Sequence, residues 1–180
     1  MKVRTMIYWV ILLVVIDSAI KIIINGYFLD VRFDIIPNLF EFKPVFNKQY
    51  SYVNHLFGLG MGFWVHVVIF TFALVIALAI YDFFRTLPNG YKLLNFAFIF
   101  AFAGSICAFI GLLTGGCLDY IYLKPLFIFD LKDLYIDCYA ILFLYYFFKY
   151  KKSLKSVKFK DMTGHFKNRL KSLTKSQKSQ

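Results

Sequence analysis

Asp119, Asp130 and Asp133 fall within residues 115–136, GGCLDYIYLKPLFIFDLKDLYI, beside strongly apolar segments of a chain that has only ten acidic residues. Two carboxylates held a few ångströms apart cannot both ionise cheaply, so one of them keeps its proton. The ionised member can draw a proton from water while the neutral one donates to a carbonyl oxygen. That chemistry cleaves an amide without metal or covalent intermediate. Fourteen residues separate Asp119 from Asp133, ample for the chain to go out and return, and Lys124-Pro125 supplies a turn. The plainer roles are solvated loop acids or helix N-caps for Asp130 and Asp133. A helix N-terminus favours a charged carboxylate, so Asp133, at the head of the last apolar segment, reads as the deprotonated partner.

Other chemistries find less support. His55, His66 and His165 have no ligand spacing and none lies near these aspartates, which leaves a hard divalent ion on carboxylate oxygens as the remaining metal option. There is no Gly-rich phosphate loop and no G-x-S-x-G element, and Ser51 and Ser105 have no evident base. Cys107, Cys117 and Cys138 lie outside the 25–60 segment and lack metal-like spacing, so no disulfide framework is expected. No cofactor is called for.

The elements that must hold the aspartates read as membrane helices. The 180 residues are 60% hydrophobic and 21% aromatic, with 23 Phe and 13 Tyr, more apolar surface than a soluble core of this size hides. Spans are expected at residues 6–24, 61–84, 93–113 and 134–148. The first is too long for a signal-peptide core and is expected to break after Asn25-Gly26. It carries Asp17 and Lys21 four apart on one face, either an ion pair or a support for the site. The fourth is short, about 22 Å against roughly 30 Å of hydrocarbon. Its helix must therefore begin near Asp133, or even at Phe129, and run on into Lys149-Tyr150, which puts Asp133 and Asp137 at the membrane boundary. Small residues around Gly104 in the third span let helices approach closely. Pro88-Asn89-Gly90 marks the turn before it.

Residues 27–60 sum to zero net charge, and Pro37 and Pro44 argue against one continuous helix. VRFDII and LFEFKPVF alternate like strands, so a small extracytoplasmic β-cradle is expected over about 27–60. The net charge of +11 is concentrated at the end: residues 149–178 hold eleven Lys/Arg against Asp161 alone. Beside a membrane helix such a tail (151–180) reads as cytoplasmic and as lying on anionic lipid, not on nucleic acid. The fold class is therefore an all-α polytopic membrane protein with four transmembrane helices, a small cradle and both termini cytoplasmic. Residues 1–150 would form the transmembrane domain.

With these residues laid out, positions 5–150 resemble the lipoprotein signal peptidases, the type II signal peptidases of bacteria. Asp17-Ser18-Ala19-Ile20-Lys21 resembles the family's D-x-x-[ST]-K, with the hydroxyl residue displaced. Ile36-Pro37-Asn38-Leu39-Phe40 is followed by Asn47 at the family's distance, where N-x-G-x-A-F keeps only the Asn and an aromatic. Gly115-Gly116-Cys117-Leu118-Asp119-Tyr120-Ile121 resembles G-x-V-V-D-F-I, and Phe129-Asp130-Leu131-Lys132-Asp133-Leu134-Tyr135-Ile136 resembles F-N-x-A-D-x-x-I, with Asp130 in place of Asn.

The resemblance implies an intramembrane aspartic endopeptidase of the bacterial inner membrane, a hydrolase that removes signal peptides from prolipoproteins bearing a diacylglyceryl cysteine. It implies no cofactor, a monomer among membrane phospholipids, Asp119 and Asp133 as the catalytic pair, and Asn47, Asp130, Asp17 and Lys21 as binding or supporting residues. The family's G-N-x-x-D-R element would fall on Cys107–Gly111, where Cys107, Ile110 and Gly111 replace its Asn, Asp and Arg. An alternative register places that element on residues 115–120 and makes Asp130 and Asp137 the dyad. As a third negative group, Asp130 would raise its neighbours' pKa values, partly offset by Lys132 or Lys124. A non-catalytic membrane adaptor or assembly protein on the same scaffold is the competing function.

Overall fold

The structure, a computed structural model, describes residues 2–48, 50, 54, 57–87, 91–155 and 157–177. His55, Ser51 and the 88–90 turn lie outside them. Its first helix, α1 (Val3–Ile23), does not stop at Asn25-Gly26 as its sequence suggests: a wide turn of π-helix over Ile24–Phe28 carries the chain on through both residues. After the first hairpin come α2 (Phe63–Arg85) and α3 (Tyr91–Leu113). A second hairpin leads to α4 (Leu131–Lys149), the short α5 (Lys151–Leu154) and α6 (Phe159–Gln177).

Among the described residues three helical stretches are long and apolar enough to cross a membrane, Val3–Phe28, Phe63–Arg85 and Lys92–Leu113. The expected fourth, residues 134–148, is not among them. Helix α4 starts three residues before the apolar run at Leu134, so its first two turns carry Lys132, Asp133 and Asp137 and dilute its hydropathy.

The sheet is also larger than expected. Strands β1 (Phe33–Ile36), β2 (Phe40–Asn47), β3 (Cys117–Leu123) and β4 (Phe127–Phe129) form one antiparallel sheet in that order. Half of the cradle therefore comes from the second outer segment, where aromatic and β-branched residues (CLDYIYL) suit a pleated strand. Asn38 takes the left-handed conformation in the β1–β2 turn, φ 61°, which Asn tolerates better than most residues. Pro44 lies within β2, where the pairing with β3 shifts register between Phe42 and Val45. A strand proline lacks a donor and is accommodated at such irregularities.

Helix α3 is the centre of the helical part. Leu94, Ala97, Phe98 and Ala103 on it are fully buried. The Phe98 ring lies 5.1 Å from Tyr81 of α2, and 5.2 Å from Tyr139 and 5.9 Å from Phe143 of α4. On the outside, Tyr8, Ile22, Val68, Phe72, Ile141 and Phe148 are exposed, as lipid-facing side chains must be. At the far end of α2, Asp82 accepts from Arg169 Nε of α6 at 3.1 Å and pairs with His165 at 2.9 Å, which fastens the basic tail helix to the bundle.

Small residues set one spacing that the site depends on. A Cβ on Gly104 would stand 2.8 Å from Ile136 Cγ1 and 3.1 Å from the Lys132 carbonyl oxygen, so α3 and the head of α4 touch backbone to backbone here. Gly104→Val is expected to destabilise the fold by about 1–3 kcal/mol through overpacking, read as a lower thermal unfolding midpoint in detergent. Gly26→Ala, with open space around it, is the control. Equal midpoints for the two variants would show that α4 is free to move away from α3.

Candidate active site

The chain runs up β3, turns at the cis Lys124-Pro125 peptide, returns along β4 and enters α4, and this path brings three carboxylates together. Asp119 faces inward from β3, paired across the sheet with Val45 of β2. Asp130 is the N-cap of α4: its Oδ1 accepts from the Asp133 N–H at 3.2 Å while its own N–H donates to Asp133 Oδ2 at 3.1 Å. This reciprocal capping box fixes both side chains. Carboxylate oxygens of Asp119, Asp130 and Asp133 lie within 4.8 Å of one another. The spacing would suit a cation, and the cation that the structure places among them is an ammonium.

That ammonium belongs to Lys132, itself buried. Its Nζ lies 3.0 Å from Asp119 Oδ1, 2.9 Å from Asp130 Oδ1 and 3.2 Å from Asp133 Oδ2. A second ammonium backs the first: Lys21 Nζ is 2.7 Å from Asp130 Oδ2 and 2.8 Å from Asp17 Oδ2. The two readings of the Asp17/Lys21 pair therefore merge, since it is an ion pair that also reaches the carboxylate cluster. Asn47 Nδ2 at the end of β2 donates to Asp119 Oδ2 at 3.2 Å. Of the two lysines offered by the sequence to offset Asp130, only Lys132 does so. Lys124 sits at the far edge of the sheet with Asp34 and, at 3.0 Å, Glu41.

Asp137 lies one turn beyond Asp133. It is exposed and lines the same cleft but stands outside the cluster. That cleft, about 830 Å³, opens between β2, β4 and the head of α4, with Asn47, Asp119 and Asp133 on its polar side and Phe46, Phe127 and Phe129 on its apolar side. At Gly111, where the family pattern has Arg, a Cβ would fall 2.6 Å from Cys117 Sγ, so β3 packs where that side chain would begin. Cys107 is buried in the helical core, and all three thiols are free.

Burial sets the charges outside the helices. It raises the Asp119 carboxyl above the ordinary carboxylate range, against the pull of Lys132 and with the push of Asp130. Burial pushes Asp130 the same way, but Lys132 and Lys21 outweigh it and hold that carboxyl low. Asp130 is thus the settled anion of the group, while the Asp119 carboxyl holds its proton more tightly than an ordinary carboxylate does. Burial also lifts the Cys117 thiol to about 11, so it stays neutral.

A family model described as signal peptidase (SPase) II matches residues 9–149. The chain belongs to this family. It is accordingly an aspartic-type peptidase, a hydrolase of the membrane, and the clustered aspartates agree with that chemistry. No curated protein sequence matches it. Two solved structures share its fold, both described as a bacterial membrane enzyme determined by the in meso method. The 2.3 Å structure has a TM-score of 0.64 and 22% identity, covering 86% of this chain and 94% of its own. The 1.9 Å structure has a TM-score of 0.58 and 23% identity, covering 78% and 90%. The family match ends at the close of α4, so α5 and α6 lie beyond it.

From the residues alone Lys132 has only a share in offsetting charge, and its place at the centre of the cluster is not visible. The available signal was a lysine in the first turn of a helix, where the positive end of the dipole disfavours a cation unless acids surround it. The raised Asp119 value has a measurable consequence. Its proton is bound more tightly in the folded chain than in the unfolded one. The resulting stability is complete below the unfolded value, near about pH 4, and is lost as pH rises through the higher folded value. Asp119→Asn is expected to gain thermal stability relative to wild type between about pH 4 and pH 8, followed by unfolding in detergent. A constant difference across that range would mean that burial does not dominate at Asp119.

Proposed function

We propose that Asp119 and Asp133 are the catalytic dyad of a signal peptidase that removes signal peptides from prolipoproteins carrying a diacylglyceryl cysteine in a bacterial inner membrane. The observation that carries this is the approach of the two carboxylates to within 4.8 Å on the wall of an open cleft. One carboxylate takes a proton from water, whose oxygen attacks the scissile carbonyl carbon, while the protonated partner donates to the carbonyl oxygen. Collapse of the tetrahedral species breaks the C–N bond, and the proton taken from water passes to the leaving amine. The alternative pairing of Asp130 with Asp137 is less well supported, because Asp130 is engaged by two ammonium groups and Asp137 stands outside the cluster.

The surroundings suit such a substrate. Asn47 orients Asp119, Asp17 and Lys21 hold Asp130, and the sheet offers an aromatic wall against which an extended peptide would lie. In this reading α4 completes a fourth crossing within a 1–150 peptidase domain, beginning at the boundary because its first turns are charged. Both termini lie in the cytoplasm, in keeping with the bases at Lys2, Arg4, Arg85 and Lys92 and the basic tail, 151–180, on phospholipid headgroups. One chain supplies every residue, so a monomer suffices.

The test is release of a signal peptide from a diacylglyceryl-modified prolipoprotein by the protein purified into lipid. Asp119→Asn and Asp133→Asn are each expected to lower the rate by about 10²–10⁴-fold, and Asp137→Asn to lower it far less. Loss of cleavage in the Asp137 variant with retention in the Asp133 variant would move the dyad to the alternative register.

A further inference from the structure

Lys132 is a costly residue where it stands. It occupies the first turn of α4, where the helix dipole opposes a cation, and it is buried. Asp130 is equally costly alone, being fully buried beside two further carboxylates. Their side chains meet at 2.9 Å.

We infer that Lys132 and Asp130 act as one positioning pair that lets the Asp119/Asp133 dyad keep a single shared proton. The inference rests on the dyad assignment above. With both members present, the Asp130 carboxylate absorbs the ammonium's charge, and the dyad feels little net charge from the pair. With Lys132 alone, an ammonium 3.0 Å from Asp119 and 3.2 Å from Asp133 would favour ionisation of both, leaving no proton for the carbonyl oxygen. With Asp130 alone, three crowded carboxylates would hold on to protons, and the base would be lost at neutral pH. Removing both takes away one positive and one negative charge and leaves the net charge of the site unchanged. These are also two positions at which the motif around α4 departs from the family pattern, Asp130 for Asn and Lys132 for Ala.

Among the described residues, Lys43, Lys48 and Tyr122 stand further along the cleft and Tyr120 lies against Asp130, and the other charged and titratable groups around Lys132 are these. Cys117 and Asp119 face it from β3, and Asp130 and Asp133 from the head of its own helix. Lys21 and Asp17 of α1 reach the set through Asp130, Asn47 of β2 meets Asp119, and Asp137 lines the cleft one turn further along α4. Cys117 stays neutral over the working range. A shift in the pH profile on changing Lys132 or Asp130 therefore reports on the aspartates.

The experiment is a cycle of wild type, Lys132→Met, Asp130→Asn and the double variant, assayed for prolipoprotein cleavage against pH. Met keeps the buried stem and Asn keeps the helix cap. Each single variant is expected to lose about tenfold or more in rate, in line with coupling between contacting groups. Lys132→Met should move the acidic limb of the profile upward, and Asp130→Asn should move the alkaline limb downward. The double variant should recover most of the rate and the wild-type profile. Single losses that multiply in the double, or single variants with unmoved profiles, would overturn the pair. Thermal unfolding of the four proteins serves as a second readout: rescue of midpoint without rescue of rate would also overturn it. Wild-type activity in Asp119→Asn or Asp133→Asn would instead defeat the dyad assignment, an outcome separate from those of the cycle.

Discussion

A chain of buried opposite charges ties the protein together. Lys21 links Asp17 on α1 to Asp130 at the head of α4, and Lys132 links Asp130 to Asp119 on β3 and Asp133 on α4. The buried members, Asp17, Asp119, Asp130 and Lys132, would each cost several kcal/mol if taken alone from water, and the cost is offset only when their partners are in place. The first helix, the sheet and the last helix must therefore arrive together. A long apolar helix and a sheet are thereby joined by charges, three of which, Asp119, Lys132 and Asp133, also line the cleft.

Close packing gives that network its geometry. Helix α3 carries almost no charge and works by being narrow: Gly104 lets the head of α4 come against it, and Gly111 lets β3 do the same through Cys117. Two glycines seven residues apart on one helix thus set the positions of the elements bearing Asp133 and Asp119. The aromatic contacts of Phe98 with Tyr139 and Phe143 hold the middle of α4, so its first turn has little freedom to swing.

Much of this was legible in the residues. The long apolar runs gave α1, α2 and α3, and the Asp17/Lys21 spacing gave an ion pair that does form. The alternation around Pro37 gave both strands of the first hairpin. The second hairpin was harder to see, because CLDYIYL reads at once as a strand and as a loop bearing an aspartate. The apolar run of the fourth helix starts only at Leu134, but its shortness already called for a start near Asp133 or Phe129, and the helix begins between them at Leu131. The centre of the site was hidden for another reason. Lys132 and Lys124 are equivalent in a sequence that shows only distance along the chain, and only the fold sends one inward to three carboxylates and the other outward to Asp34 and Glu41.

Asp119 and Asp133 come from one continuous piece of chain, a tight hairpin running straight into a capped helix. Their separation is therefore set first by strand pairing and a capping box, and the glycines of α3 seat that unit against the helices. Membranes thicken and thin with their lipids, and helices answer by tilting. Here that tilting would carry the two carboxylates along as a unit, so their spacing is insulated from the mechanical state of the bilayer around them.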